Sequence, residues 1–223
     1  MSSGVARTAF RGQKGEQTRE RILVKSGELF AAKGFFGTAT RDIAAASGLK
    51  QPSLFFHFAN KQAIAEELLD YSLSLPMAFA KRLIDEPASA AVRLYSYISF
   101  DTKHLAGSPY ELIGIHQHGL LSLPEFGKWN RSADKLTQYI RTLIRQGHQD
   151  GSLLPLDPVL GQQMISGINL NTIRRMNHKQ RKMGDLPTFV ADFILRGLLV
   201  QPQTLPKVRR EAAALLARIS LEL

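Results

Sequence analysis

Residues 18–61, TRERILVKSGELFAAKGFFGTATRDIAAASGLKQPSLFFHFANK, decide the fold of this chain. Apolar side chains such as Ile22 and Phe30 recur there with helical spacing, starting after Thr18, which can cap a helix, and stopping at Gly34. Glycine ends helices readily because it adopts backbone conformations that other residues avoid. The pattern therefore predicts a first helix between Thr18 and Gly34.

Two further short helices follow within the same stretch. Thr40 can accept hydrogen bonds from the free amides of a first helical turn, and Ile43 begins an apolar face behind it. The sequence Ser47-Gly48-Leu49 predicts a tight turn, and Pro52 suits the first turn of the next helix, where a missing N–H is harmless. Leu54 starts the core face of that third helix. Short helices joined by a glycine-containing turn are typical of the helix-turn-helix.

The same region resembles the N-terminal domain of TetR-family transcriptional regulators, and the resemblance covers residues 18–69 without a gap. It implies an all-α protein, with a three-helix DNA-binding domain followed by a helical bundle that binds a ligand and dimerises. One position departs from the pattern, because Phe55 stands where the family usually has a tyrosine whose hydroxyl commonly touches a phosphate. The matching residues are Thr18, Ile22, Leu23, Leu29, Phe30, Lys33, Gly34, Phe35, Thr40, Asp42, Ile43, Ala44, Gly48, Leu54, His57, Phe58, Lys61 and Leu68.

The start of the third helix is predicted to read bases in the DNA major groove. Gln51 can pair bidentately with adenine, Lys50 favours guanine and Ser53 is permissive. Pro52 can make apolar contact with a thymine methyl, and Arg41 can reach a base edge or a phosphate. The residues predicted to position the phosphate backbone are Thr38, Thr40, His57 and Lys61, with Phe55 at the position of the family's tyrosine.

Composition agrees with a DNA-binding protein. The formal net charge is +10, and residues 1–61 carry +6 of it, so the helix-turn-helix end is the denser positive field. The chain has no cysteine, which excludes disulfides, cysteine-ligated metals and thiol redox sensing. The N-terminus lacks the apolar core of a signal peptide, and no apolar run approaches the ~20 residues of a membrane span. We therefore expect a cytoplasmic protein without a membrane segment or a cofactor.

The chain divides into three predicted regions. Residues 1–16 are small, polar and basic, and are predicted to form a flexible arm; a DNA minor-groove contact by this arm is the alternative. Residues 17–63 form the helix-turn-helix domain, and residues 64–223 the effector-binding and dimerisation domain. A fourth helix is predicted to start at Asn60, as a cap, and to run towards Leu83, and Pro76 should kink or interrupt it. Helical periodicity without a convincing strand predicts that the rest of the chain is helical as well. The others are expected near 87–105, 109–119, 124–149, 157–180, 186–200 and 204–221.

A homodimer is expected because one helix-turn-helix makes few DNA contacts, and a two-fold dimer doubles them over two half-sites. The resemblance places the dimer interface on the last two long helices, near 157–180 and 186–200. Glycines there, such as Gly167, are unfavourable in a helix unless they allow close packing. The candidate interface residues are Ile165, Asn169, Thr172, Met176, Phe189, Phe193, Gly197 and Val200.

The stretch 95–129 concentrates aromatic residues and histidines, as expected for an apolar small-molecule pocket with a few polar groups. The alternative is that these side chains fill the core. The pair His116-x-His118 does not predict a metal site, because residues two apart point to different sides of a helix. The candidate pocket residues are Tyr97, Phe100, His104, His116, Trp129 and Met164.

These observations predict a ligand-responsive, DNA-binding transcriptional regulator. In its simplest form a dimeric repressor binds a pseudo-palindromic operator and a small, mostly hydrophobic effector releases it. An activator, or a regulator that needs its ligand to bind, uses the same parts. An enzyme active site in the bundle is disfavoured because the sequence has no nucleophile elbow, phosphate loop or metal constellation. A non-specific nucleic-acid binder would show salt-sensitive binding without sequence preference.

Overall fold

The computed structural model describes residues 3–116, 119–175 and 185–220. Every regular element in these ranges is helical, which confirms the predicted all-α fold. The α-helices are α1 Ser3–Gly37, α2 Thr40–Ala46, α3 Gln51–His57, α4 Lys61–Leu83, α5 Ala90–Gly107, α6 Gly127–Gln149, α7 Pro158–Arg175, α8 Leu186–Leu198 and α9 Leu205–Ser220. Short 3-10 turns are found at Ile113–Ile115, Leu120–Ser122, Pro124–Phe126 and Pro202–Thr204.

The first helix begins earlier than predicted. Because α1 starts at Ser3, Thr18 lies inside it and does not cap it, and most of the segment 1–16 predicted as a flexible arm is helical. At Gly34 the backbone turns to φ 72° and ψ 165°, a conformation that glycine adopts without strain. The regular helix therefore ends where the sequence predicted, although it starts fifteen residues before Thr18.

The chain forms two compact units, and the first joins residues up to Ser72 with the segment Ser108–Trp129. This unit extends beyond the predicted domain of 17–63. Helices α1 to α3 and the first half of α4 surround a core that includes Ile22, Phe30 and Leu54, each at most 1% exposed. Burial of such side chains supplies the main driving force for folding of this unit.

The segment Ser108–Trp129 lies directly on α1. A Cβ atom built on Gly114 would stand 2.3 Å from the carbonyl carbon of Phe30, and one on Gly27 would stand 2.8 Å from the carbonyl oxygen of Glu111. A residue with a Cβ atom could not approach another backbone this closely, so the contact requires glycine at both positions. The helix predicted near 109–119 is absent from residues 109–116, the part of it that the structure describes, where the chain forms a 3-10 turn at Ile113–Ile115.

The second unit contains Leu73–Gly107 and the residues from Asn130 onward. Helix α5 lies at its centre and packs against α7, α8 and α9. Polar contacts hold the first turn of α5: Asp150 accepts a 2.7 Å hydrogen bond from the first amide of α5, and Arg93 donates to the carbonyl of Ile84, just beyond the end of α4, at 2.5 Å. Helix α4 continues through Pro76, which was expected to kink or interrupt it. Among the helices described, none is both long and apolar enough to cross a membrane.

Candidate functional site

The turn between α2 and α3 presents the beginning of α3 to solvent. Gly48 adopts φ 66°, and the amide of Leu49 donates to the carbonyl of Ala44 at 2.8 Å, which closes the turn. Leu54 is buried and holds the opposite side of α3 against the core. The four predicted base readers, Lys50, Gln51, Pro52 and Ser53, are consequently all exposed. A helix of this length can enter a major groove with these residues leading.

Gln51 is oriented by the neighbouring helix. Its Nε2 donates a 3.0 Å hydrogen bond to Oγ1 of Thr40, which leaves its Oε1 pointing away from that contact. Thr40 was predicted to cap α2 and to touch phosphate, but Ala39 occupies the cap position and makes no side-chain cap bond. Thr40 therefore holds the reader Gln51, a role that spacing along the sequence does not reveal.

Thr38 and Lys61, both predicted to contact phosphate, make hydrogen bonds to backbone carbonyls of the protein. The Thr38 side chain is 1% exposed, and its hydroxyl donates to the carbonyl of Gly34 at 2.8 Å. The Lys61 ammonium donates to the carbonyls of Phe35 at 2.6 Å and Thr38 at 2.8 Å, and it lies 4.3 Å from the centre of the Phe35 ring. Burial lowers the pKa of Lys61. Both side chains satisfy backbone groups at the end of α1 and just beyond it. The burial of Thr38 contradicts its prediction as a phosphate contact, and the phosphate contact of Lys61 stays a prediction.

Other cations of this basic region are also held by the protein. Arg19 donates to the carbonyl of His57 at 2.6 Å, forms an ion pair with Glu67, and lies 4.0 Å from the centre of the Phe58 ring. Arg21 donates to the carbonyl of Ser47 at 2.9 Å. The net charge of the region therefore overstates the number of cations that can reach phosphate.

Arg41 and the aromatic end of α3 remain available to a nucleic acid. The Arg41 side chain is 83% exposed and contacts Asp42 at 3.8 Å, so it can exchange this partner for a phosphate. Phe55 is half-exposed and Phe56 is 87% exposed. Sequence reasoning missed Phe56, although helical spacing reveals it: a residue two positions after the buried Leu54 lies on nearly the opposite side of a helix.

We expect Lys61→Ala to lower the free energy of unfolding by about 2 kcal/mol, because hydrogen bonds from a charged donor to two carbonyls are lost together. Thermal and urea unfolding of the purified protein would measure this loss. Lys50→Ala, which removes an exposed lysine at the start of α3, is the matched control and should leave unfolding unchanged. Equal stability of the two variants would contradict the structural role of Lys61.

The predicted pocket residues fall into different units. His116 and Trp129 belong to the first unit, where the imidazole Nε2 is hydrogen-bonded to Ser72 Oγ at 2.5 Å and the indole N–H donates to Asp70 at 2.9 Å. Burial lowers the pKa of His116 to about 4, so its ring is neutral at pH 7. Both side chains thereby fasten the segment 108–129 to α4.

Three more predicted pocket residues, Tyr97, Phe100 and His104, share one face of α5 in the second unit. Phe100 stacks on Phe79, with ring centres 4.1 Å apart. Met164 does not join them, since it is 54% exposed, which contradicts its prediction as a pocket residue. Among the described residues no group of three potential metal ligands comes together, and His118 lies outside the described residues.

The predicted interface residues divide by exposure. On α8, Phe189 and Phe193 are 64% and 63% exposed and Gly197 is exposed, and Val200, two residues after the end of α8, is exposed as well. On α7, Ile165 and Asn169 are each 3% exposed, so they belong to the interior of the protomer, and their prediction as interface residues was wrong.

The exposed side of α7 instead carries Leu160 together with Met164, four positions further along. Thr172 is partly buried and donates to the carbonyl of Ile168, whereas Met176 lies outside the described residues.

Comparison with known proteins relates the chain to transcriptional regulators. The family model "Bacterial regulatory proteins, tetR family" matches residues 22–68. The HTH-type transcriptional repressor KstR2 of Mycobacterium tuberculosis is 34% identical over 139 residues, which are 61% of this chain and 70% of that protein.

Solved structures give the same picture for the whole fold. AmtR of Mycobacterium smegmatis has a TM-score of 0.72 at 25% identity, over 89% of this chain and 94% of that chain. AibR, solved in complex with isovaleryl coenzyme A and operator DNA, has a TM-score of 0.64 at 21% identity, over 81% and 98%. At that identity the second likeness concerns the fold alone.

Proposed function

Because this chain belongs to the TetR family of bacterial regulatory proteins, and is thus a transcriptional regulator and not an enzyme, we propose that it is a repressor that binds a pseudo-palindromic operator as a dimer. A small, mostly hydrophobic effector would bind the second unit and release the operator. The observation that carries this proposal is the exposed start of α3, where Lys50, Gln51, Pro52 and Ser53 all face solvent.

The side chains of Gln51, Lys50 and Ser53 offer different hydrogen-bonding groups to DNA bases. An amide, an ammonium and a hydroxyl can each recognise base edges in the major groove, and Gln51 is held in place by Thr40 before DNA arrives. Preorganisation of this kind reduces the entropy lost when the side chain is ordered on the base. Arg41, together with the exposed rings of Phe55 and Phe56, would contact the backbone and sugars beside them.

The exposed apolar side chains of α7 and α8 support dimerisation. Leu160, Met164, Phe189 and Phe193 are each at least half exposed, and the two helices that carry them pack on each other. Contiguous apolar surface of this kind marks an interface more often than it remains in water. A dimer would carry two copies of α3, one for each of two operator half-sites, which lie about 34–36 Å apart when they are one helical turn apart on DNA.

Release by an effector requires a difference in affinity. A ligand shifts the equilibrium between two arrangements of the dimer by no more than the ratio of its affinities for them. If the arrangement favoured by the ligand has a different spacing of the two α3 helices, operator affinity falls. The same parts can produce an activator or a regulator that needs its ligand, and the sign of the ligand's effect on operator binding distinguishes these cases.

Selection of bound fragments from a randomised duplex library, at two salt concentrations, tests the proposal. Recovery of one inverted repeat that is still bound at the higher salt would support a sequence-specific dimer. Binding that is blind to sequence and lost with salt would instead indicate that phosphate contacts alone supply the affinity, and would contradict the proposal.

Gln51→Ala should relax the preference at one base pair in each half-site. Loss of a bidentate contact to adenine is expected to reduce discrimination at that position by about 1–3 kcal/mol. Repeating the selection with the variant measures the effect. Gln138→Ala, which removes an exposed glutamine from α6, is the matched control and should reproduce the native preference. An unchanged preference in Gln51→Ala would remove Gln51 from the set of readers.

A further inference from the structure

One face of α5 combines aromatic rings with an acidic side chain. Tyr97, Phe100, Asp101 and His104 follow each other at the i, i+3, i+4 and i+7 spacing that places residues on the same side of a helix. Phe100 stacks on Phe79, with ring centres 4.1 Å apart and an angle of 15° between the planes, and its plane is nearly parallel to that of His104, whose ring centre lies 6.5 Å away. Asp101 therefore stands within a largely aromatic surface.

The carboxyl group of Asp101 is held in place by α7. Asn169 Nδ2 donates to Asp101 Oδ2 at 2.6 Å, while Asn169 Oδ1 accepts a hydrogen bond from Thr102 Oγ1 at 2.8 Å. Asn169 is 3% exposed and its contact with Thr102 is buried, whereas its contact with Asp101 is partly buried, at the edge of the interior of the second unit. The two bonds determine the orientation of the amide, and through it the position of Asp101.

This carboxyl group has no positive partner in the part of the chain that the structure describes. Among residues 3–116, 119–175 and 185–220, none forms an ion pair with Asp101, and Asn169 supplies the hydrogen bond that stabilises its charged form. Burial consequently raises the pKa of Asp101 to about 7, and burial together with the nearby Asp101 raises the pKa of Tyr97. A carboxyl group that is desolvated without a counter-charge destabilises a fold, so its presence suggests that the counter-charge comes from elsewhere.

We propose that the α5 face formed by Tyr97, Phe100, Asp101 and His104 is the effector subsite, and that it takes a hydrophobic organic cation. The protonated nitrogen of the ligand pairs with Asp101 Oδ1, the oxygen that Asn169 does not occupy, and its apolar body lies against the exposed part of the Phe100 ring, whose other side is supported by the buried Phe79. Carboxylates and aromatic faces both attract cations, and an ammonium forms its strongest hydrogen bonds with a carboxylate. This inference rests on the proposed function as a ligand-responsive regulator and narrows the class of its effector.

The geometry also defines what Asn169 does. It touches no part of such a ligand and acts as a positioning residue, because its amide keeps one Asp101 oxygen occupied and leaves the other for the ligand. An exposed acidic residue would bind the cationic ligand more weakly than Asp101 does, because an ion pair in water stabilises a complex less than one in a desolvated site.

A series of three probes with one skeleton tests the charge preference. Binding of 4-phenylbutylamine, 4-phenylbutanol and 4-phenylbutyrate to the full chain would be measured by calorimetry at pH 8, where Asp101 is mostly ionised. We expect the amine to bind about ten-fold more tightly than the alcohol, and the carboxylate to bind most weakly, because the hydrogen bond to Asp101 is charge-assisted only for the amine.

Two variants locate the preference. Asp101→Asn keeps the shape of the side chain and should bring amine and alcohol to equal affinity. Asp134→Asn makes the same chemical change at an exposed position of α6 and should keep the ten-fold preference. A native protein that binds amine and alcohol equally, prefers the carboxylate, or does not bind the amine overturns the inference, and so does a preference that survives in Asp101→Asn.

Operator binding without any probe separates this inference from the proposed function. If the native protein selects an inverted repeat but shows no amine preference, the cation subsite is wrong and the regulator remains. If it selects no operator, the proposed function fails whatever the probes do. If Asp101→Asn does not fold, the ratio of amine to alcohol affinity in the native protein still decides the question.

Discussion

Phe193→Glu is expected to convert the protein to a monomer and to weaken operator binding by about a thousand-fold, the lower end of the usual difference between specific and non-specific affinity. Phe193 is 63% exposed on α8, one turn from Phe189, and belongs to the apolar surface that we propose as the dimer interface. A glutamate there would bring two carboxylates together at a two-fold axis and leave them desolvated. Sedimentation and titration of the selected operator would measure the two effects.

Leu75→Glu provides the matched control for this prediction. Like Phe193, Leu75 is an exposed apolar residue of the second unit. It is 47% exposed and lies on α4, away from the proposed interface helices α7 and α8 in the sequence. Its glutamate variant should remain dimeric and bind the operator. If Phe193→Glu is still dimeric, the interface lies elsewhere, and if it is monomeric but binds the operator normally, dimerisation is not needed for recognition.

The helix-turn-helix was predictable because local rules specify it. Gly34 and Gly48 adopt the positive φ angles that end a helix and close a turn, Pro52 lies in the first turn of α3, and Asn60 accepts a 2.8 Å hydrogen bond from the amide of Ala63 at the start of α4. Each of these signals depends on residues within four positions of one another. The comparisons agree with this part of the prediction through the match to residues 22–68.

The roles of polar side chains were less predictable, because they depend on contacts between distant parts of the chain. Lys61, 26 residues after Phe35, donates to the carbonyls of Phe35, in the last turn of α1, and of Thr38, just beyond that helix. A lysine next to a DNA-binding motif suggests a phosphate contact from sequence alone. The fold, however, uses this lysine to satisfy its own backbone.

The interface and the pocket were hardest to assign because α7 has apolar residues on more than one side. Leu160 and Met164 are exposed, whereas Ile165, one position further, is buried in the protomer. Periodicity cannot choose between two apolar faces of the same helix. The signal that sequence reasoning overlooked was Asp101, an acidic residue on the aromatic face of α5.

Gly114→Ala is expected to lower the free energy of unfolding by about 3 kcal/mol, at the upper end of the cost of overpacking a core. The added methyl group would stand 2.3 Å from the carbonyl carbon of Phe30 and 2.4 Å from the amide nitrogen of Ala31. Both are backbone atoms of α1, so a side-chain rotation cannot relieve the clash, and the segment 108–116 must leave the helix. Thermal unfolding would measure the loss, with Gly107→Ala, where nothing lies within 4 Å of the new Cβ, as the control.

A second glycine on the other side of the same contact makes this prediction sharper. Gly27→Ala would place a methyl group 2.8 Å from the carbonyl oxygen of Glu111, and should therefore also displace the segment from α1. Once one substitution has displaced it, the other has little left to disturb, so the double variant should lose less stability than the two single losses added together. Additive losses would mean that the two glycines act independently. Native stability in Gly114→Ala would mean that the segment does not lie on α1 in solution.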